Sequence, residues 1–173
     1  MEKMTSTAEQ VTELLRSEHQ HIKDMLTEVI DNRGAARDSA FTALERFLAA
    51  HEAAEETFIH ALEDSAVAQD RVREEEKAGQ LIARLEAMDF ATEAFESAFA
   101  EFAHSVKAHA DAEEHVELPS LTKDASPEEL GRMYDALQKV PVLAGQQGGH
   151  IEAGADFASM LAEAKAKFSG LSK

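Results

Sequence analysis

The chain has 173 residues, a formal net charge of -17 and no cysteine. Without cysteine there are no disulfides, iron–sulfur clusters, thiolate zinc sites or cysteine nucleophiles, so any metal must be bound through nitrogen and oxygen. The negative charge makes nucleic acid and membrane surfaces unfavourable partners and makes cations favourable ones. With 44% hydrophobic residues, the chain is expected to fold as one compact domain.

No apolar run approaches the roughly 20 residues that a membrane span needs. The N-terminal sequence MEKMTSTAEQVTELL lacks the hydrophobic segment of a secretory signal. We therefore expect a cytoplasmic protein, and the sequence does not distinguish a monomer from a homodimer.

The first helix is predicted from its start and stop signals. Ser6 followed by Glu9 is a capping-box pattern, in which each residue hydrogen-bonds the backbone of the other. The helix should run to about residue 30, because Asn32 and Gly34 then stop it.

The second and third helices are predicted from apolar residues at helical spacing. Asp38 or Ser39 is expected to cap the second helix. A third helix should cover about residues 68 to 88. The apolar residues that define the second helix are Phe41, Leu44, Leu48, Phe58 and Leu62.

A fourth helix should begin near Asp89 or Thr92 and end at Pro119. Four long amphipathic helices with short connections predict an up-down antiparallel four-helix bundle, here over residues 1–122. The apolar stripe of the fourth helix contains Phe95, Phe99, Phe102, Val106, His109, Glu113 and Val116.

One or two additional helices are expected in an extension over residues 123–173 that packs on the bundle. Ser126 and Pro127 form a strong start signal for a fifth helix, to about residue 139. A last amphipathic stretch, which ends near residue 168, is a sixth helix or a partner surface. No alternating strand pattern occurs, so the predicted fold class is all-α.

The chain repeats one polar pattern, in AAHEAAEETF around His51 and in KAHADAEEHV around His109. Four residues turn a helix by only ~40°, so His51 and Glu55 point the same way, as do His109 and Glu113. Both pairs lie on the apolar stripes of their helices, and His19 lies on the stripe of the first helix.

Ionisable groups buried inside a helical bundle need partners that offset the free-energy cost of removing them from water. A buried carboxylate without a partner costs several kcal/mol, a large share of a net stability of about 5 to 15 kcal/mol. One histidine–glutamate pair alone would favour a helix-stabilising role at a wet end of the bundle. Two copies in register with a third histidine favour a metal site, and a bridging glutamate favours two ions.

The segments SEHQHIKDML, HEAAEETF and HADAEEHVELPSL resemble the most recognisable segments of the hemerythrin-like HHE cation-binding family, over roughly residues 8 to 122. The resemblance implies a left-handed four-helix bundle around two iron ions with an oxo or hydroxo bridge. It also implies that Glu55 and Glu113 bridge the ions. The implied ligands are His19, His51, Glu55, His109 and Glu113.

The third helix departs from this family pattern because Glu75 stands where the family usually has a ligand histidine. By helical geometry, Glu74 points toward the apolar stripe of the third helix at least as well as Glu75. The third possibility is that this acidic run is exposed to solvent and binds no metal. His150 follows the glycine-rich GQQGG and is a further candidate to complete the site, although a helix-start or surface position explains it more simply. His60 and His115 point away from the apolar stripes and are expected at the surface.

The resemblance implies a non-haem di-iron protein that reacts with or senses dioxygen, peroxide or nitric oxide. A peroxidase-, catalase- or ferroxidase-like activity is one form of this function. A non-enzymatic iron or oxygen sensor, or an iron store, that signals through the C-terminal helices is the alternative. Manganese and zinc also suit nitrogen and oxygen ligands. The third interpretation is an acidic bundle without metal.

Overall fold

The computed structural model describes residues 6–62, 65–145 and 156–171. No strand occurs in these ranges, so the all-α class is confirmed. None of the described helices is long and apolar enough to cross a membrane. The α-helices are α1 (Thr7–Asp31), α2 (Gly34–Phe58), α3 (Ser65–Glu86), α4 (Glu93–Ala112), α5 (Leu118–Asp124), α6 (Pro127–Leu143) and α7 (Phe157–Leu171). A 3₁₀ turn (His60–Leu62) follows α2, and a π-helical turn (Glu113–Glu117) joins α4 to α5.

Three predicted helix starts are confirmed by their caps. Ser6 and Glu9 form a capping box at α1, and Ser126 and Glu129 form another at α6. Thr92 caps α4 by accepting a hydrogen bond from a backbone N–H in the first turn. Each cap satisfies donors that the helix itself leaves unpaired.

The predicted cap of α2 at Asp38 or Ser39 is wrong, because α2 already begins at Gly34, where φ is 58°. This left-handed conformation suits glycine. The buried guanidinium of Arg37, at 2% exposure, holds the tight turn together. It donates to the carbonyls of Asn32 and Phe90 at 2.8 Å, Val29 at 3.1 Å and Ile30 at 3.3 Å.

The helices pack around α1 and α2. The first helix contacts α2, α4 and α6, while α2 also contacts α6 and α7, and α3 contacts α4 and α7. The C-terminal helices therefore cover faces of α1 and α2, whereas the division of the chain at residue 122 stays a prediction. The most buried phenylalanines of the core are Phe47, Phe95, Phe99, Phe102 and Phe168.

The helix that begins with α4 does not end at Pro119, contrary to prediction. The π-helical turn resets the hydrogen bonding, and Leu118 donates to the carbonyl of Glu113, five residues earlier. Pro119 then lies in the first turn of α5, where its missing N–H is not needed. The wider turn also changes the helical phase, so Val116 is 70% exposed instead of joining the apolar stripe.

Leu62 also lies outside the core that the sequence predicts for it, with 40% exposure. The α-helix ends at Phe58, and the 3₁₀ turn that follows has a different rotation per residue. The apolar stripe of α2 therefore does not extend through this turn.

Candidate metal centre

Four side chains from three parts of the chain meet in the core. They are His19 on α1, His51 and Glu55 on α2, and Glu113 at the start of the π-helical turn, and none is more than 4% exposed. One ligand atom from each lies within 4.8 Å of the others. The Oε1 atom of Glu55 is 2.9 Å from His51 Nε2 and 3.7 Å from His19 Nε2. The two histidines and two glutamates thus form a compact nitrogen and oxygen donor set.

Glu113 belongs to this group and to a second one. Its Oε2 atom lies 3.1 Å from His19 Nε2. Its Oε1 atom lies 3.1 Å from His109 Nε2 and 3.4 Å from His60 Nε2. The two oxygens of one carboxylate therefore face imidazoles on opposite sides. A second potential metal-binding group consists of His60, Glu113 and Glu117.

The other ring nitrogen of each of these four histidines contacts a second carboxylate. Because a carboxylate only accepts, each Nδ1 that pairs with one must donate, which leaves Nε2 for the interior. Such carboxylate–histidine pairs orient imidazoles at metal sites. The Nδ1 partners are Glu114 for His19 at 2.8 Å, Glu18 for His51 at 2.8 Å, Glu74 for His109 at 2.7 Å and Glu75 for His60 at 3.0 Å.

Several buried atoms in the cluster have no hydrogen-bond partner among the described residues. They include His19 Nε2, Glu55 Oε1 and Glu113 Oε2. His19 Nε2 and Glu113 Oε2 are 3.1 Å apart, which is close enough for a hydrogen bond, but their relative orientation does not form one. Unsatisfied buried polar atoms are rare and costly. Atoms that converge without bonding one another are the arrangement that a cation requires, so these residues fit a metal ion.

In the metal-free protein, pairs of protonated histidines and ionised glutamates balance the charge of the cluster. Burial lowers the pKa of His19, but the Glu113 and Glu55 carboxylates outweigh burial and raise it to about 9. Burial also lowers the pKa of His109, but nearby carboxylates, mainly that of Glu113, raise it to about 10. Burial raises the pKa of Glu113, but the surrounding histidines hold it well below its usual range. Metal ions must therefore displace protons from these imidazoles.

The structure places the remaining candidate ligands around this cluster. Glu75 contacts His60 Nδ1, and Glu74 contacts His109 Nδ1. His150 lies outside the described residues. The predicted surface position of His60 is wrong, because its side chain is only 7% exposed. The predicted surface position of His115 is confirmed. Ligation itself stays a prediction for every member of the predicted set.

His60 was missed because the helical phase does not continue through it. In a continuous α-helix, residue 60 would lie ~180° from His51. Instead α2 ends at Phe58, and Ile59 departs from helical geometry with φ -109° and ψ -62°. The break turns His60 toward Glu113. The only available signal was the histidine itself at a predicted helix end.

A cavity of about 540 Å³ reaches the cluster beside α3 and α4. Its polar wall includes His19, His51 and Glu55, and its apolar wall includes Leu81 and Phe102. The cavity is large enough to admit a small molecule.

Glu52 also lines this cavity. Burial raises its pKa to about 8, together with the neighbouring Glu75 and Glu55 carboxylates. In the metal-free protein at neutral pH, the Glu52 carboxyl group is therefore largely protonated.

Comparisons with known proteins point to one family. Searches of curated proteins and of solved structures found no significant match. The family described as Hemerythrin HHE cation binding domain matches residues 10–121. This match covers more than half of the chain and includes His19, both histidine–glutamate pairs and His60. The chain therefore belongs to the hemerythrin HHE cation-binding domain family.

Proposed function

We propose that this protein binds two iron ions in its core and reacts with or senses dioxygen, peroxide or nitric oxide. The observation that carries the proposal is the position of Glu113, whose two oxygens face His19 on one side and His60 and His109 on the other. A carboxylate between two groups of imidazoles suits a bridge between two ions. The proposal treats α1 to α4 as an up-down four-helix bundle, which the contacts of α1 with α2 and α4, and of α3 with α4, support.

The chain has separate parts for binding, orientation and access. Glu55 and Glu113 supply oxygen donors, while Glu18 and Glu114 hold the imidazoles of His51 and His19 in orientation. Bound iron would supply the redox chemistry and an open coordination position. The cavity gives a small oxidant a path to the cluster, and apolar residues along its wall limit the entry of water.

Iron titration tests the proposal. Anaerobic titration of the metal-free protein with Fe²⁺ should saturate near two ions per chain. Addition of dioxygen, hydrogen peroxide or nitric oxide should then change the near-ultraviolet absorption, because the electronic state of the iron changes. Elemental analysis measures the stoichiometry, and an oxygen electrode follows the turnover of peroxide.

The zinc-loaded protein is the matched control, because Zn²⁺ occupies the same kind of donor set without redox chemistry. It should show no optical response to the three molecules. Folded protein that takes up no iron, or iron-loaded protein that responds to none of the three molecules, would contradict the proposal.

A sensor is the second candidate function, and the position of α7 favours it. Lys165 on α7 lies 2.5 Å from Glu56 on α2. Glu56 accepts a hydrogen bond from the protonated carboxyl group of Glu75, which contacts His60. A change of charge at the cluster can therefore reach α7 through two carboxylates and one ion pair.

Hydrogen exchange tests this coupling. Amide exchange in α7 should be slower in the metal-loaded protein than in the metal-free protein, because occupancy of the cluster fixes Glu75 and Glu56. The Lys165→Met variant should lose most of this difference. Lys167→Met is the matched control, since Lys167 pairs with Glu163 inside α7. Equal exchange in both metal states of the wild-type protein would count against a sensor that uses α7.

A further inference from the structure

We propose that His60 is a ligand of the second metal ion and supplies the imidazole that the third helix lacks. This inference rests on the proposed function, because it assigns a residue to the second position of the same centre. His60 comes from the 3₁₀ turn after α2, so its placement depends on the way that this chain ends the helix.

The burial and contacts of His60 carry the first step. Its side chain is 7% exposed, and its Nε2 atom lies 3.4 Å from Glu113 Oε1. His109 Nε2 lies 3.1 Å from the same oxygen. Two imidazole nitrogens therefore approach the oxygen of Glu113 that faces away from His19. The ligand atoms of His60, Glu113 and Glu117 lie within 4.8 Å of one another and could hold an ion on this side, while His109 approaches the same oxygen of Glu113.

The second step is a pattern that four histidines share. His19, His51 and His109 each turn Nε2 toward Glu55 or Glu113 and place Nδ1 near an outer carboxylate. His60 does the same, with Nε2 toward Glu113 and Nδ1 3.0 Å from Glu75. The arrangement that orients the three predicted ligands therefore also orients His60.

The third step concerns Glu75, which the sequence placed in the position of the missing histidine. Its contacts are with His60 Nδ1 and with Glu56, on the side of the imidazole away from Glu113. His60 Nδ1 and Glu75 Oε1 are buried 3.0 Å apart, and neither atom has a hydrogen-bond partner elsewhere among the described residues. We assign Glu75 as the positioning residue of His60.

Cobalt titration tests the assignment, because Co²⁺ binds the same nitrogen and oxygen ligands and is visible by absorption. The wild-type protein should bind two Co²⁺ ions per chain. In His60→Gln the second dissociation constant should rise by at least about 100-fold, because a ligand is lost, while the first changes little. Glu75→Gln should still bind two ions, weakened by at most about 100-fold, as expected for a residue that orients a ligand. His115→Gln, at an exposed histidine, is the matched control.

Proton NMR of the cobalt-loaded wild-type protein gives a readout that needs no folded variant. Each imidazole bound through Nε2 should show one strongly shifted Nδ1–H resonance. Four such resonances are expected, for His19, His51, His60 and His109. The assignment of His60 is overturned if none of the shifted resonances belongs to His60.

The outcomes separate this inference from the proposed function. A wild-type protein that binds fewer than two ions contradicts both. If the wild-type protein and His60→Gln both bind two ions with equal affinity, only the assignment of His60 fails. If Glu75→Gln loses the second ion and His60→Gln keeps it, Glu75 is the ligand.

Discussion

Replacement of Glu113 with glutamine is expected to remove most of the bound iron. The change keeps the size of the side chain but removes the negative charge that faces His19, His60 and His109. Both proposed metal positions would lose a shared anionic donor. Iron content by elemental analysis should fall from near two ions per chain to well below one.

The metal-free Glu113→Gln variant should also be less stable than the metal-free wild-type protein. Removal of one partner from a buried ion pair typically costs about 3 to 5 kcal/mol. The loss should be largest between about pH 5 and 6.5, where the carboxylate of Glu113 is ionised and the imidazoles of His19 and His109 are protonated in the folded and unfolded states. The high pKa values of His19 and His109 give stability that is fully present below their unfolded value of about 6.5 and lost as pH rises through about 9 to 10. Urea denaturation across this pH range measures the effect.

Glu101→Gln on α4 is the matched control for Glu113→Gln. Glu101 is exposed and lines the same cavity, but it is not one of the clustered residues. This variant should keep the wild-type iron content and stability. Full iron content in Glu113→Gln would show that Glu113 is not a shared ligand.

Replacement of Arg37 with methionine should destabilise the protein by about 3 to 5 kcal/mol. Four backbone carbonyls at the turn between α1 and α2 and at Phe90 would lose a charged donor. Buried carbonyls without donors cost about 1 to 3 kcal/mol each when no water reaches them. The midpoint of urea denaturation, with an unchanged slope, measures the loss.

Arg33→Met provides a close comparison for Arg37→Met. Arg33 also bonds the carbonyls of Ile30 and Asn32 and pairs with Glu96, but its side chain is 63% exposed. Water can replace these contacts, so the expected loss is within about 1 kcal/mol. Similar losses in the two variants would show that burial of Arg37 contributes little.

The sequence predicted the parts of the candidate site that depend on local helical phase. His51 and Glu55 lie four residues apart within α2, and their contact at 2.9 Å follows from helix geometry alone. His109 and Glu113 meet in the same way at 3.1 Å. Capping boxes gave the starts of α1 and α6 for the same reason, because each depends on residues three positions apart.

The parts that the sequence did not predict depend on where regular helix stops. His60 turns inward because α2 ends before it, and Val116 turns outward because it lies within a π-helical turn. Neither interruption contains a glycine or proline that would mark it beforehand. Arg37 was also missed, because its acceptors come from the turn between α1 and α2, from Phe90 and from Glu96, which only the folded chain brings together.

The paired charges in the core have a consequence for the uptake of a metal ion. Protonated imidazoles and ionised glutamates neutralise one another locally, so the charges of the core are balanced without a bound metal ion. Uptake of a metal ion is then an exchange of hydrogen ions for that ion, and acidic conditions favour the metal-free form.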